Sequence, residues 1–205
     1  MDFLLNEEEA KKESFSGGRI YTTGKYTGRF TKAYVHESES GSKAVRFEFI
    51  SDAGQSLTYD EYFYSGRTGK ECGFWQNSLM AVMGLSGVRA KKNTPVDVYD
   101  FKEKMIVTKR VDMYPAFLSG PVGIVVQMEE YKKNSGEIGE RAVVKKYFDA
   151  KTGKSASEKL GNSDAKDIDV FVAGLKPLKG LLAVNNVASV QHEQGSDDFN
   201  DDIPW

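Results

Sequence analysis

The sequence predicts a mainly β domain with one short helix. Three features carry that prediction: several stretches alternate apolar and polar side chains with a period of two, one stretch spaces its apolar residues at helical intervals, and clusters of Gly, Asn, Asp and Ser separate them. No internal repeat or heptad run is present.

Residues 25–35 read as the first strand, with Tyr26, Phe30 and Tyr34 on one side and Thr27, Arg29, Thr31, Ala33 and Val35 on the other. Glu37-Ser38-Glu39-Ser40-Gly41-Ser42 reads as a turn, after which Val45, Phe47 and Phe49 alternate with Arg46, Glu48 and Ile50. Asp52-Ala53-Gly54-Gln55 turns the chain again into residues 57–64, where Leu57, Tyr59, Glu61 and Phe63 oppose Thr58, Asp60, Tyr62 and Tyr64. The expected product is a meander of three antiparallel strands. A Gly-rich loop, Ser65-Gly66-Arg67-Thr68-Gly69-Lys70, then leads into a helix over 74–85, whose Trp75, Leu79, Val82 and Met83 form an apolar stripe that belongs to a core rather than to a ligand.

Residues 95–101 and 105–111 read as further strands around Lys102-Glu103-Lys104. Two clearer strands, 122–131 and 141–148, are joined by Asn134-Ser135-Gly136-Glu137-Ile138-Gly139, and Val122, Ile124, Val126 and Met128 make one apolar face. Residues 151–167 read as a polar surface loop and 169–182 as a docked strand or short helix; from 183 the chain leaves the fold. Three strands, a helix and two or more strands is the element order of the OB-fold, a five-stranded Greek-key barrel with its helix between the third and fourth strands. The predicted organisation is an acidic N-terminal segment (1–18), an OB-fold-like domain with extra strands (19–182), and a flexible linker with an acidic tail (183–205).

At 205 residues, 40% apolar and 12% aromatic, the chain can bury one real core. The acidic start, Met1-Asp2-Phe3-Leu4-Leu5-Asn6-Glu7-Glu8-Glu9, is unlike a signal peptide, and no apolar run approaches a membrane span, so a cytosolic protein without a membrane partner is expected. Cys72 is the lone cysteine, which excludes an intramolecular disulfide and a zinc site built on paired cysteines. The net charge of -2 is segregated: residues 1–13 and 191–205 each hold five acids, leaving 26 basic against 20 acidic side chains on residues 14–190. A moderately basic body thus sits between two acidic ends, a pattern that serves solubility or the attraction of a polyanion.

The chain ends in Ser196-Asp197-Asp198-Phe199-Asn200-Asp201-Asp202-Ile203-Pro204-Trp205. Its like charges repel and its few apolar residues cannot offset the entropy of ordering, so a mobile tail is expected. Its tip is different in kind: Pro204 stiffens the backbone, Ile203 and Trp205 offer apolar area, and the terminal carboxylate invites a Lys or Arg of a partner. This end resembles that of the bacterial single-stranded DNA-binding proteins, which finish in Asp-Asp-Asp-Ile-Pro-Phe; phage proteins of the same role also end in acidic residues and an aromatic. Asp201, Asp202, Ile203 and Pro204 match, and Trp205 stands where that family has Phe. The resemblance implies an OB-fold body that coats unpaired DNA in replication, recombination and repair. It also implies that Asp197, Asp198, Phe199, Asp201, Asp202, Ile203, Pro204 and Trp205 recruit replication or recombination proteins, a pocket taking the last aromatic and a basic residue its carboxylate.

Single-strand binders pair a positive groove with aromatic platforms for bases. The candidates for that role are aromatics beside Lys or Arg: Lys25, Tyr26, Arg29, Phe30 and Lys32 on the first strand; Tyr62, Tyr64, Arg67 and Lys70 at the end of the third; and Tyr131, Lys132 and Lys133 with Arg141, Lys145, Lys146 and Tyr147 on the later hairpin. The competing reading makes these tyrosines half-buried strand residues with solvated neighbours. Arg89, Lys91 and Lys92 read as a solvated turn rather than a phosphate clamp.

Gly153-Lys154-Ser155 has the closing triplet of a phosphate-binding loop, but Phe148 stands where the first glycine is required, and Gly66-Arg67-Thr68-Gly69-Lys70 is too short and followed by Glu71. His36 and His192 have no triad-like serine context, and Asp164, Asp167 and Asp169 read as solvated acids. No catalytic constellation, metal or cofactor is called for. The alternative function is a non-enzymatic adaptor or virion assembly protein whose β domain binds protein. Phe3, Leu4 and Leu5 leave a homo-oligomer open.

Overall fold

The computed structural model describes residues 17–38, 41–64, 75–100, 103–133 and 135–175. The elements in chain order are β1 (Gly24–Glu37), β2 (Lys43–Ser51), β3 (Ser56–Tyr64), α1 (Trp75–Met83), β4 (Lys91–Asp100), β5 (Met105–Met113), a 3-10 turn (Pro115–Leu118), β6 (Pro121–Lys132), β7 (Ile138–Phe148), α2 (Ala156–Leu160) and α3 (Asp167–Gly174). The fold is mainly β and OB-like, with seven antiparallel strands and a few short helices. The acidic N-terminal stretch through Ser16 and the whole tail lie outside the described residues.

Strand β1 is the centre of the topology. One edge pairs with β2 from Gly28↔Ser51 to Glu37↔Lys43. The other edge pairs first with β6, from Gly24↔Val126 to Arg29↔Pro121, and then with β5 at Tyr34↔Met113. Between those two partners the register of β1 slips, by a bulge between Phe30 and Lys32. A bulge inserts one residue and so exchanges the faces of everything beyond it. Phe30 and Ala33 accordingly enter the main core, while Tyr34 packs in a second cluster with Val96 and Val98. Tyr26, Phe30 and Tyr34 therefore do not share one side, as simple alternation predicts.

The meander β1–β2–β3, the helix after it, and the hairpin β6–β7 supply the OB-like barrel. Phe47 is the hub of its core, with ring centroids 4.6 Å from Phe30, 5.5 Å from Tyr59 and Phe117, and 5.7 Å from Trp75. Trp75 opens α1 and donates its indole N–H to the Tyr62 carbonyl at 3.0 Å, while Leu79 and Val82 bury the stripe the sequence marks. The hairpin β4–β5 is an insertion: it follows the helix where the barrel's fourth strand is expected, and hangs instead from the far half of β1.

On the outside of β6–β7, α3 packs Ile168 onto Val125 and Phe148. The stretch 151–167, read from its composition as a loop, contains α2. Ser155 caps that helix in a reciprocal box with Glu158, whose buried carboxylate accepts backbone N–H groups of Ser155 and Asp167 at 2.8 Å and of Lys166 at 2.5 Å. Those donors, Asp167 first, hold its carboxyl down at about 2. One charged side chain thus staples two helices whose own apolar area is small. Among the described residues no helix is long and apolar enough to cross a membrane.

Gly28 makes the bend of β1 possible. A Cβ there would lie 2.1 Å from the Ile50 carbonyl oxygen and 2.7 Å from the Phe49 ring and the Ser51 Cα. Two of those three neighbours are backbone, which cannot move aside without breaking the ladder. Gly28→Ala is expected to destabilise the domain by about 3 kcal/mol in urea denaturation; an unchanged midpoint would mean that β1 and β2 are not so tightly apposed.

Candidate functional site

A groove of about 680 Å³ runs beside the barrel. Arg19 and Tyr21 of the segment before β1 line it, together with Tyr34 of β1, Arg46 and Glu48 of β2, Thr58 and Asp60 of β3, Tyr99 and Lys104 of the inserted hairpin, and Met128, Glu140 and Arg141 of β6–β7. Register places the floor. Tyr34, Arg46 and Asp60 are successive partners across β1, β2 and β3, and Glu48 of β2 stands opposite Thr58 of β3. Alternation turns both rows away from the core residues Ala33, Phe47 and Phe49 that flank them. The segment before β1 is held against β3 by backbone bonds from Ile20 N–H to the Ser56 carbonyl (3.0 Å) and from Ser56 N–H to the Gly18 carbonyl (2.8 Å).

The floor is electrostatically fixed. Arg46 donates Nε–H to Asp60 Oδ1 at 2.7 Å and Nη2–H to Oδ2 at 2.6 Å, with the Asp60 side chain 5% exposed. Burial pushes the Tyr34 phenol up to about 12, against the opposing pull of Arg46. Burial also lowers His36, and the Arg46 charge adds to that effect, so both rings stay neutral at physiological pH. At the rim, by contrast, Tyr21 is 66% and Tyr99 50% exposed. Exposed rings lining a groove that also carries Arg19, Lys104 and Arg141 can accept flat apolar groups joined by anions.

The seam between β3 and β7 borders this site through Tyr59. No backbone ladder joins these strands among the described residues; side chains bridge them instead. The Tyr59 and Tyr147 hydroxyls lie 3.1 Å apart, and Tyr147 donates to Glu61 Oε1 at 2.5 Å. Burial raises both phenols well above their ordinary value and brings Glu61 up to about 7, although the Tyr147 hydrogen bond opposes the shift.

The structure distributes the sequence candidates differently from the expected clusters. Phe30 is 2% and Tyr147 6% exposed, both in the barrel core, so neither can stack on a base. Tyr26 packs against that core and donates its hydroxyl to the Thr22 carbonyl at 2.8 Å. Lys25 is ion-paired with Asp169 of α3 on the other wall, and Lys146 lies 4.5 Å above the Phe171 ring there. Lys32 binds Glu48 at 3.0 Å and the Asp97 carbonyl at 2.6 Å. Arg29 is exposed on β1 opposite Pro121, and Lys132 is exposed near the β6–β7 turn. Lys133 pairs with Glu137 at 3.3 Å. Arg141 approaches Glu129 at 3.6 Å and sits 5.7 Å over the Tyr131 ring, while Lys145 is also paired with Glu129. Tyr62 is half-buried and its carbonyl receives Trp75. Arg67, Lys70, the side chain of Tyr64 and every tail residue lie outside the described residues.

Of the described candidates, Arg141 alone lines the groove. Arg19, Tyr21, Tyr34, Arg46, Tyr99 and Lys104 were not among them. Tyr34 and Arg46 were within reach of sequence reasoning, because they share a polar face once the β1 bulge is placed. Tyr21 and Tyr99 carry no such signal, since segments distant in the chain bring them to one groove. Among the described residues no group of three or more His, Cys, Asp or Glu side chains could hold a metal ion. No family model matches the chain, and no curated protein matches it.

Glu61 makes the seam pH-sensitive. Because its carboxyl titrates near 7 in the fold against an ordinary 4.5, the native state holds the proton more tightly. Its stabilising share is complete below about 4.5 and lost as pH rises through about 7. Glu61→Gln is expected to flatten this part of the stability profile and to make the protein more stable than wild type at pH 8, on the order of 2 kcal/mol. Urea titrations on both sides of the window measure it; equal profiles would mean a solvated carboxylate.

Proposed function

We propose that the chain is a sequence-tolerant single-stranded DNA-binding protein of phage replication or recombination, which holds unpaired DNA in the groove and recruits other replication proteins through its acidic tail. The observation that carries this reading is the meeting of exposed Tyr21 and Tyr99 with Arg19, Lys104 and Arg141 in one groove over the β2–β3 face of an OB-like barrel. That face is where OB-folds take oligonucleotides. Bases stack on the rings without regard to sequence, while the rim cations neutralise phosphates.

The tail reading rests on its resemblance to the single-stranded DNA-binding family and on the charge split. An acidic segment tethered to a basic domain competes for the groove at high effective concentration and is displaced by DNA, which frees Ile203, Pro204 and Trp205 for a partner. The Arg141–Glu129 contact at 3.6 Å supports the same exchange, since a partly exposed pair contributes only about 0–1 kcal/mol and a phosphate can replace the carboxylate.

Titrating labelled oligo-dT between about 50 and 200 mM salt tests the binding half. Each phosphate neutralised contributes about -0.7 to the slope of log K against log salt, so three rim cations predict a slope near -2. Removing residues 197–205 is expected to keep or raise DNA affinity while abolishing partner capture, and Trp205→Ala to weaken capture alone. Salt-independent or absent oligonucleotide binding would instead favour the adaptor or virion assembly role.

A further inference from the structure

Three large apolar side chains stand exposed at the free end of the inserted hairpin: Tyr99 at 50%, Met105 at 54% and Ile106 at 67%. Tyr99 and Ile106 are direct cross-strand partners. The next rung, Val98 opposite Val107, belongs to the cluster on Tyr34, so alternation directs Tyr99 and Ile106 to the other face of the hairpin. A ring beside a branched aliphatic chain on a two-stranded arm is a flat apolar surface, and leaving it in water is unfavourable.

Two features indicate what covers it. Tyr99 and Lys104 line the groove, so the surface continues the site already described. The arm also bears six cations, Lys91, Lys92, Lys102, Lys104, Lys109 and Arg110, against four acids, Asp97, Asp100, Glu103 and Asp112. A second copy adding to the outer edge of β4 is disfavoured by that edge's own chemistry, with Lys91, Lys92, Pro95 and a bulge between Lys91 and Thr94. We propose that the end of the β4–β5 hairpin is a stacking platform for bases of an unpaired strand leaving the groove, with Tyr99 as the ring, Ile106 as the apolar floor beside it and Lys104 on a phosphate. This rests on the single-strand reading above and extends the interface beyond the five-stranded barrel.

Stacking and phosphate contacts separate by their salt dependence. Tyr99→Ala is expected to weaken oligo-dT binding about tenfold with the salt slope unchanged, and Tyr99→Phe to restore it. Ile106→Ser is expected to weaken binding about threefold, and Lys104→Ala to reduce the slope by about 0.7. These side chains lie off the core, and an unchanged unfolding midpoint checks that each variant folds. With a wild type that itself binds, an Ile106→Ser variant that binds like it overturns the platform alone, whereas an unchanged Tyr99→Ala or Lys104→Ala overturns the platform and also removes that side chain from the groove reading. A variant whose only change is a smaller particle in sedimentation velocity overturns the platform too, because the arm is then a contact between copies of the chain. A wild type that does not bind the oligonucleotide overturns the parent reading and the platform with it.

Discussion

Everything in this fold depends on one strand serving three neighbours. The fourteen residues of β1 pair with β2 along one edge and with β6 and then β5 along the other, and no flat strand can do so. Gly28 lets β1 lie against the β2 backbone where a side chain would collide with it, and the bulge at Phe30 and Lys32 then turns the strand's faces over. Before the bulge, β1 joins β2 on one edge and β6 on the other around the core residue Phe30. Beyond it, Tyr34 becomes the foundation on which Val96 and Val98 seat the inserted hairpin. The groove is the space left between these two constructions, so its shape is set by the same bend.

The charges of the site fall into two classes that matter differently for binding. Arg46 and Asp60 form a bidentate pair on the groove floor; removing either strands the other's charge in a place with little water, at about 3–5 kcal/mol. That pair belongs to the architecture. Pairs such as Lys145 with Glu129 and Lys109 with Asp100 are partly exposed and weak, and their cations can change partners. A domain whose cations are mostly matched by acids attracts a polyanion only moderately at long range, which shifts the burden of affinity onto stacking. The seam adds a third element, since Glu61, Tyr59 and Tyr147 join β3 to β7 by hydroxyls and a carboxylate rather than by a ladder. Tyr59 links that seam to the groove, so proton binding at Glu61 and the shape of the site share a residue.

Much of the fold was legible in the sequence because a period of two is a local property. All seven described strands overlap stretches read as strands from the sequence, four of them by alternation or a single apolar face, and α1 falls where Trp75, Leu79 and Val82 are helically spaced. The site was far less legible. Which face of a strand is buried depends on pairing, so Phe30 and Tyr147 looked like candidates beside Arg29 and Lys146 and proved to be core. The β1 bulge inverted the face of Tyr34 with no Gly or Pro at Thr31 to announce it. Tyr99 had no marked neighbour in sequence, because its companions Tyr21 and Arg141 come from segments many residues away. The helix α2 was hidden in a polar stretch whose stability comes from the carboxylate of Glu158 rather than from apolar area.

The central claim is that the two exposed rings of the groove contact nucleobases. Photo-cross-linking a halogenated-pyrimidine oligonucleotide to the full-length protein, with mapping of the adducts by mass spectrometry, tests it most directly. Binding in the groove predicts adducts on Tyr21 and Tyr99; adducts confined to the opposite wall around Phe171, or none at saturation, would contradict it.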